Sequence, residues 1–300
     1  MELTIGGTLA ALSNDIATAV ERVAPSVVAV EGRERGGSSG FFLAPHTIVT
    51  ADHTLERDNI KIVFADGRVE SARIIGRDSA TDIALLGTAT GGPQPLAHVA
   101  SDDVKVGAIA LAVARDDDGD LAATMGVIGT VGGAWRTWRG GEIERFLRPD
   151  LSLSPRFSGS PLVSASGAVM GMNTWGLSRR QSLSVPIATI ARIADLLHAR
   201  GHVARGDFGI AMQAVEIPGA LGGGCGAIVL GVAPHGPADK GGLIVGDIIT
   251  TLHGRPVSDR DDVQALLNAA SVGSPTVVRI IRGGTPHECT ITLGDERPTA

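Results

Sequence analysis

The stretch "RPDLSLSPRFSGSPLV", residues 148–163, sets Ser158 between a phenylalanine and a glycine, just ahead of a proline and two apolar residues. Taken alone it is a polar turn, because serine beside glycine is ordinary loop chemistry. Taken as a nucleophile, Ser158 needs two more groups: a base to accept its proton and an anion to orient that base.

Two upstream segments supply them. "IVTADHTL" (48–55) carries His53, and "DSATDIALL" (78–86) carries Asp82. A lone histidine at the end of a strand is usually a packed or surface residue, and a lone aspartate before an apolar run is usually a strand-end cap. All three together, in the chain order His, Asp, Ser, form the acyl-transfer constellation of the chymotrypsin-type double barrel. Their spacing leaves room for one barrel to close before Ser158 enters the other.

Composition fits such a chain. Three hundred residues make room for about two domains. A chain 43% hydrophobic and 19% charged is ordinary for a globular protein, and its 41 glycines and 15 prolines imply many turns. No apolar run approaches the roughly 18 residues of a membrane span. The net charge of −6 argues against a nucleic-acid or anionic-membrane partner.

The opening "MELTIGGTLAALSNDI" has no basic residue and no continuous apolar core, so it does not read as a secretory signal. The expectation is a cytoplasmic protein, or an extracytoplasmic one if a leader preceded this numbering. Cys225 and Cys289 lie in no CxxC and near no histidine at ligand spacing. Two buried thiols are expected, with a disulfide between them as the alternative, and no metal and no cofactor.

Ser13 is expected to cap a helix whose apolar positions are Ile16, Val20 and Val23 and which Pro25 ends, giving an N-terminal segment over 1–24. Short apolar segments closed by Gly, Asp or Pro follow, from "SVVAVEG" (26–32) to "QSLSVPI" (181–187), and predict a mostly-β fold. Ile190, Ile193, Leu196 and Leu197 then mark a helix closed by Gly201. These elements delimit a first domain over 25–200. The second, over 201–300, has several strands and a helix with the stripe Val263, Leu266 and Leu267, expected to be capped by Ser258 with Asp261 returning the bond.

Together with "PDLSLSPRFSGSPLVSASGAVMGMNT" (149–174) and "LSVPI" (183–187), the His53 and Asp82 segments resemble the HtrA (Deg) family of trypsin-fold serine proteases. "VARGDFGIAM" (203–212), "VAPHGPADKGGLIVGDIITTLHGRPV" (232–257) and the helix at 258–268 resemble the PDZ domain that follows the protease in that family. The resemblance covers roughly residues 15–295 and implies a trypsin-like double β-barrel followed by a small α+β PDZ domain.

Carried over by position, it makes Ser158 the nucleophile, His53 the general base and Asp82 the group that orients the base. The backbone N–H groups of Arg156 and Ser158 become the oxyanion hole, and Ser152 the base of the S1 pocket. Because Ser152 carries no anion, small or medium apolar P1 residues are expected. Phe208, Gly209 and Ile210 become the N–H donors to a peptide carboxylate, with Val263, Leu266 and Leu267 either lining the groove or, Val263 above all, packing the domain core. The implied activity is ATP-independent cleavage of unfolded or damaged protein, and the implied assembly a homotrimer built through the segment before the barrel.

Three positions depart from the family pattern. Arg156-Phe157 replaces the Gly-Asn before the serine, Ser160 replaces a glycine, and Asp52 precedes His53 where the family usually has alanine. The first departure keeps a second reading open, a pseudoprotease scaffold with a disabled oxyanion hole. Ser160 is expected to be tolerated, and Asp52 to point away from the site. "GGGCG" (222–226) reads as a hairpin loop, and Arg179, Arg180 and Gln181 as a solvated edge.

Overall fold

Runs of β-branched residues closed by Gly and Asp become short antiparallel strands, and two sets of them curl around separate cores. The computed structural model describes residues 5–33, 36–57, 59–178, 181–204, 206–219, 222–269 and 272–295. Its chain divides into two units, Met1–Val203 and Ala204–Ala300.

In the first unit α1 (Ile5–Val23) leads into a 3-10 turn, Ala24–Ser26, that contains Pro25. Ser13 lies inside α1 and does not cap it, because the strong helix formers Leu9, Ala10, Ala11 and Leu12 carry the helix back past it. Ala19 and Val23 are buried, with Ile16 and Val20 packed beside them.

Strands β1 (Val27–Glu31), β2 (Ser38–Ala44), β3 (Thr47–Ala51), β4 (Ile60–Val63), β5 (Val69–Asp78) and β6 (Ile83–Gly87) close into a barrel in the order β1-β2-β3-β6-β5-β4. Strands β7 (Ile109–Arg115) and β8 (Leu121–Val131) follow; then β9 (Trp135–Arg136) and β10 (Glu142–Ile143) pair only with each other. Strands β11 (Leu147–Asp150), β12 (Pro161–Ser164), β13 (Val169–Thr174) and β14 (Leu183–Pro186) complete a second sheet, β11-β8-β7-β12-β13-β14. Its outer strands β11 and β14 lie against each other, so it curls into a second barrel-like layer.

Strand periodicity explains why the first barrel's segments read as unbroken apolar runs. Val28, Val30, Phe42, Ile48 and Leu86 fill the barrel interior. Their neighbours Val27, Phe41, Val49 and Leu85 point the other way and pack with Leu111, Val163, Met172 and Val185 of the second sheet. Helix α2 (Ile187–Arg200) lays Ile190, Ile193 and Leu197 on the same core and stops at left-handed Gly201, whose N–H donates to the Leu197 carbonyl.

The second unit pairs β15 (Gly206–Asp207) with β22 (Gly294–Asp295). Its main sheet runs β16 (Ile210–Glu216), β17 (Cys225–Val232), β18 (Ile248–Leu252), β20 (Pro275–Arg282), β21 (Thr285–Thr292), with β19 (Arg255–Pro256) beside β18. Helices α3 (Pro237–Lys240) and α4 (Arg260–Ala269) complete it.

The cap of α4 sits one residue later than expected. The Asp259 carboxylate accepts the Asp262 N–H, and the Asp262 carboxylate accepts the Ser258 N–H, each at 2.9 Å. A charged acceptor displaces the Ser258 hydroxyl from that role; the side chain of Asp261 is outside the described residues. Both cysteines are free, but neither is buried, correcting the expectation of two buried thiols: Cys225 is exposed because it opens β17 at the hairpin end, and Cys289 is half-buried on β21. "GGGCG" does close the β16–β17 hairpin, with Gly222, Gly223 and Gly224 all at positive φ. Arg179 and Arg180 lie outside the described residues, and Gln181 accepts a hydrogen bond from Arg148.

Candidate active site

The two layers of the first unit contribute opposite halves of the site. From the first barrel, β3 ends in a 3-10 turn, Asp52–Thr54, that carries His53. Asp82 sits in the turn before β6 at φ 60°, a left-handed conformation that aspartate tolerates better than most residues. The turn aims the buried carboxylate back at the histidine. Asp82 Oδ1 accepts the His53 backbone N–H at 2.8 Å, and His53 Nδ1 lies 3.0 Å from Oδ1 and 2.8 Å from Oδ2. One carboxylate therefore fixes both the backbone and the ring of His53, which leaves Nε2 as the nitrogen able to take a proton.

The second sheet supplies two residues that sequence reading missed. Thr174 Oγ1, at the end of β13, donates to Asp82 Oδ2 and accepts the Gly176 N–H. A β-carbon on Gly176 would lie 2.5 Å from Asp82 Oδ2 and 2.6 Å from His53 Nδ1. Glycine is required there for space alone. The only sequence signal was the "NTWG" that follows β13, which is too short to interpret without its partners.

Ser158 ends a 3-10 turn, Pro155–Phe157, and is 1% exposed. Its hydroxyl is buried with no hydrogen-bond partner among the described residues, so no hydrogen bond yet joins it to His53. The turn is held from β2 by Ser39: its N–H donates to the Ser158 carbonyl and its Oγ to the Arg156 carbonyl, both at 3.0 Å. Gly159, at φ 85°, would place a β-carbon 2.0 Å from the Ser39 carbonyl, so no other residue fits. Ser39 Oγ also accepts the backbone N–H of Arg115, a buried cation whose guanidinium binds the Ala24, Val27 and Gly119 carbonyls. Burial pulls that guanidinium below its ordinary value.

The oxyanion expectation is corrected by the same turn. The Ser158 N–H donates to the Pro155 carbonyl at 3.0 Å, and the Phe157 N–H to the Ser154 carbonyl at 3.0 Å. An oxyanion formed at Ser158 would thus meet a carbonyl oxygen. The Pro155–Arg156 peptide must turn over before Arg156 and Ser158 can act as paired donors. The Arg156 side chain is exposed and reaches Ser154 Oγ and Asp116. Ser152 and Asp150 are exposed, while Leu153 and Phe157 pack together beneath the turn.

The other two departures are absorbed locally. Ser160 Oγ accepts from Asn173 Nδ2 at 3.1 Å. Asp52 points away from His53, as expected, toward Arg77 and Ser79.

In the second unit, β16 is an outer strand whose free edge lies beside α4. Phe208 is fully buried, and the Phe208 and Gly209 carbonyls accept the Ala238 and Ala233 N–H groups. Val263 and Leu267 are core residues, 0% and 1% exposed, members of the same buried cluster as Phe208 and Val229. Among the three expected groove residues only Leu266 stays partly exposed, packed like Ile210 and Met212 against the edge of that core.

Comparison with known proteins agrees with this geometry. The trypsin-like peptidase domain profile matches residues 38–172, which include His53, Asp82 and Ser158, and the PDZ domain profile matches residues 206–293. The chain carries a trypsin-like peptidase domain followed by one PDZ domain and is similar throughout to HtrA-type proteases. A probable periplasmic serine endoprotease, DegP-like, from Pseudomonas savastanoi pv. phaseolicola is 32% identical over 85% of this chain and 55% of its own length. The solved HtrA-type protease AlgW with a decapeptide superposes with TM-score 0.72 at 25% identity, covering 95% of this chain and 99% of that one. The serine endoprotease from Yersinia pestis superposes with TM-score 0.71 at 26% identity, covering 94% and 98%. The chain spans little more than half the length of the DegP-like relatives it matches. Those relatives are named as periplasmic, so the cytoplasmic expectation finds no support among them. Among the described residues, no helix is long and apolar enough to cross a membrane.

Proposed function

We propose that this chain is a serine endopeptidase that cleaves unfolded or damaged protein outside the cytoplasm without ATP. The observation that carries the reading is the His53 ring held on buried Asp82, with a buried and unpartnered Ser158 hydroxyl supplied by the facing layer.

In this reading His53 Nε2 takes the Ser158 proton as Oγ attacks the substrate carbonyl. Asp82 stabilises the imidazolium that forms, and the same proton then passes to the leaving amine. Ser152 forms the floor of an uncharged S1 pocket that favours small or medium apolar P1 residues. The second unit adds a peptide along the free edge of β16, its carboxylate bound by the N–H groups of Phe208, Gly209 and Ile210 and its last side chain against Leu266. The active assembly is a homotrimer.

One observation favours a second reading, a catalytically impaired scaffold: the Ser158 N–H is occupied by the Pro155 carbonyl. The two readings meet in a resting protease whose hole forms only when substrate or a partner turns the Pro155–Arg156 peptide. The test is labelling of the intact folded chain with a serine-directed peptidyl phosphonate, with and without an activating unfolded protein. Adduct on Ser158, absent from Ser158→Ala and faster with the activator, is the expected result. A folded chain that never labels above its heat-unfolded control removes the enzyme reading.

A further inference from the structure

Asp52 is the residue of the site region that the reaction leaves unused. It is 3% exposed, and its carboxylate turns its back on the imidazole. Oδ1 accepts from Arg77 Nε at 2.5 Å and Oδ2 from Ser79 Oγ at 2.6 Å. The same guanidinium donates through Nη2 to the Asp52 carbonyl at 3.2 Å and the Leu55 carbonyl at 3.0 Å. One planar fork thus grips both ends of the turn Asp52–Thr54 on which His53 sits, geometry that an ammonium cannot reproduce.

The gripping residue stands on a fixed support. On β5, the Arg77 N–H donates to the Gly201 carbonyl and its backbone bridges to His202. Beside it, Gly76 approaches so closely that a β-carbon would lie 2.5 Å from the Gly201 carbonyl oxygen. The clamp therefore hangs from the junction of β5 with the end of α2, and a shift of β5 would carry His53 with it.

We propose that Asp52, Arg77 and Ser79 are positioning residues for His53: they fix the turn that carries the ring and present it with a balanced pair of charges. This rests on the reading of His53 as the general base. Among the described residues, other charges near His53 have partners of their own. Asp82 binds Nδ1, and Asp78, at the end of β5, accepts from Thr81 Oγ1. Arg33 donates to the His53 carbonyl at 3.0 Å and pairs with Glu56 at 3.5 Å. From the second sheet Thr174, Gly176 and Ser158 bring no charge.

The test is a set of four variants, each read in two ways: kcat and KM on an unfolded substrate with active sites titrated by phosphonate, and the His53 ring titration followed by NMR. Arg77→Lys keeps the charge and loses the fork: kcat falls about tenfold with KM unchanged and the titration midpoint stays in place. Arg77→Gln leaves the Asp52 carboxylate unbalanced, which favours imidazolium, so the midpoint rises by about half a pH unit. Asp52→Asn leaves the guanidinium unbalanced, and the midpoint falls by a similar amount. Ser79→Ala, at an exposed position that leaves folding intact, lowers kcat about threefold without moving the midpoint.

Midpoints that move in opposite directions, with kcat lost at constant KM, support the clamp. Midpoints that stay put or move together, or Arg77→Lys within twofold of wild type, overturn it. Opposed midpoints in a wild-type chain that hydrolyses nothing remove the protease reading and the clamp's catalytic purpose with it, a result distinct from active enzyme with unmoved midpoints.

Discussion

Gly176→Ala adds one methyl group where His53 and Asp82 meet. Ordinary van der Waals contact begins near 3.4 Å, and the added carbon would sit 2.5 Å from Asp82 Oδ2, 2.6 Å from His53 Nδ1 and 2.7 Å from Asp82 Cγ. The methyl group or the pair must therefore move by about 0.9 Å. Asp82 is tied to the His53 backbone and to Thr174, so the ring, 23% exposed, is the part with room to yield. A displacement of about 1 Å at a reacting group costs about 10²-fold in rate, or roughly 2.7 kcal/mol of transition-state stabilisation. We expect phosphonate labelling of Ser158 to slow by that factor while the thermal transition falls by only a few degrees. Labelling within threefold of wild type would mean that the His53–Asp82 contact has slack, and the space argument for Gly176 would be wrong.

Arg156→Gly removes the β-carbon that opposes the backbone conformation needed for a formed oxyanion hole. With a conformational cost of roughly 1–2 kcal/mol relieved, turnover should rise about tenfold at unchanged KM, and an unchanged or lower kcat would place the obstruction elsewhere. Asp247→Asn tests the second unit, where a fully buried carboxylate meets the Arg282 fork and the Ile244 N–H. Burial pushes the Asp247 carboxyl up, but the hydrogen bonds from Arg282 and Ile244 outweigh it and hold it below its ordinary value. A carboxyl lowered in the folded state contributes stability that is present above its unfolded pKa of about 3.9 and is lost as pH falls through the folded value. The variant should be about 2 kcal/mol less stable at neutral pH, because Arg282 is partly exposed and can rehydrate. Calorimetry should show its second-unit transition losing less than wild type does between about pH 4 and pH 2.

What was legible in the chain and what was not divides along a physical line. His53, Asp82 and Ser158 could be read because the chemistry demands those residue types and each lies at the edge of a recognisable apolar run. Gly176 could not, since its role is the absence of a side chain opposite residues brought from another barrel. Nor could Arg77, whose partner Asp52 lies in the turn after a different strand of the same barrel. The stripe Val263, Leu266 and Leu267 marked a helix face correctly, but a 3.6-residue period does not separate a face turned to the core from one turned to a groove. The burial of Val263 in one cluster with Phe208 decides that, through packing between distant elements.

The oxyanion turn is the most instructive case, because the departure from the family pattern was visible and its consequence was not. Side-chain identity marked Arg156 as costly in the conformation the hole requires. It said nothing of what the backbone does instead, which is to turn the Pro155 carbonyl onto the Ser158 N–H. The surroundings then narrow where change can occur. Ser39 pins the Arg156 and Ser158 carbonyls, Gly159 is locked against Ser39, and the ring of Pro155 fixes its own φ. Rotation of the Pro155–Arg156 peptide is left to ψ of Pro155 and φ of Arg156. The second of these is the torsion that a β-carbon resists. On the resting-protease reading proposed above, the barrier between a resting and a working site therefore falls at the residue that breaks the family pattern, and turning that one peptide is the change activation requires.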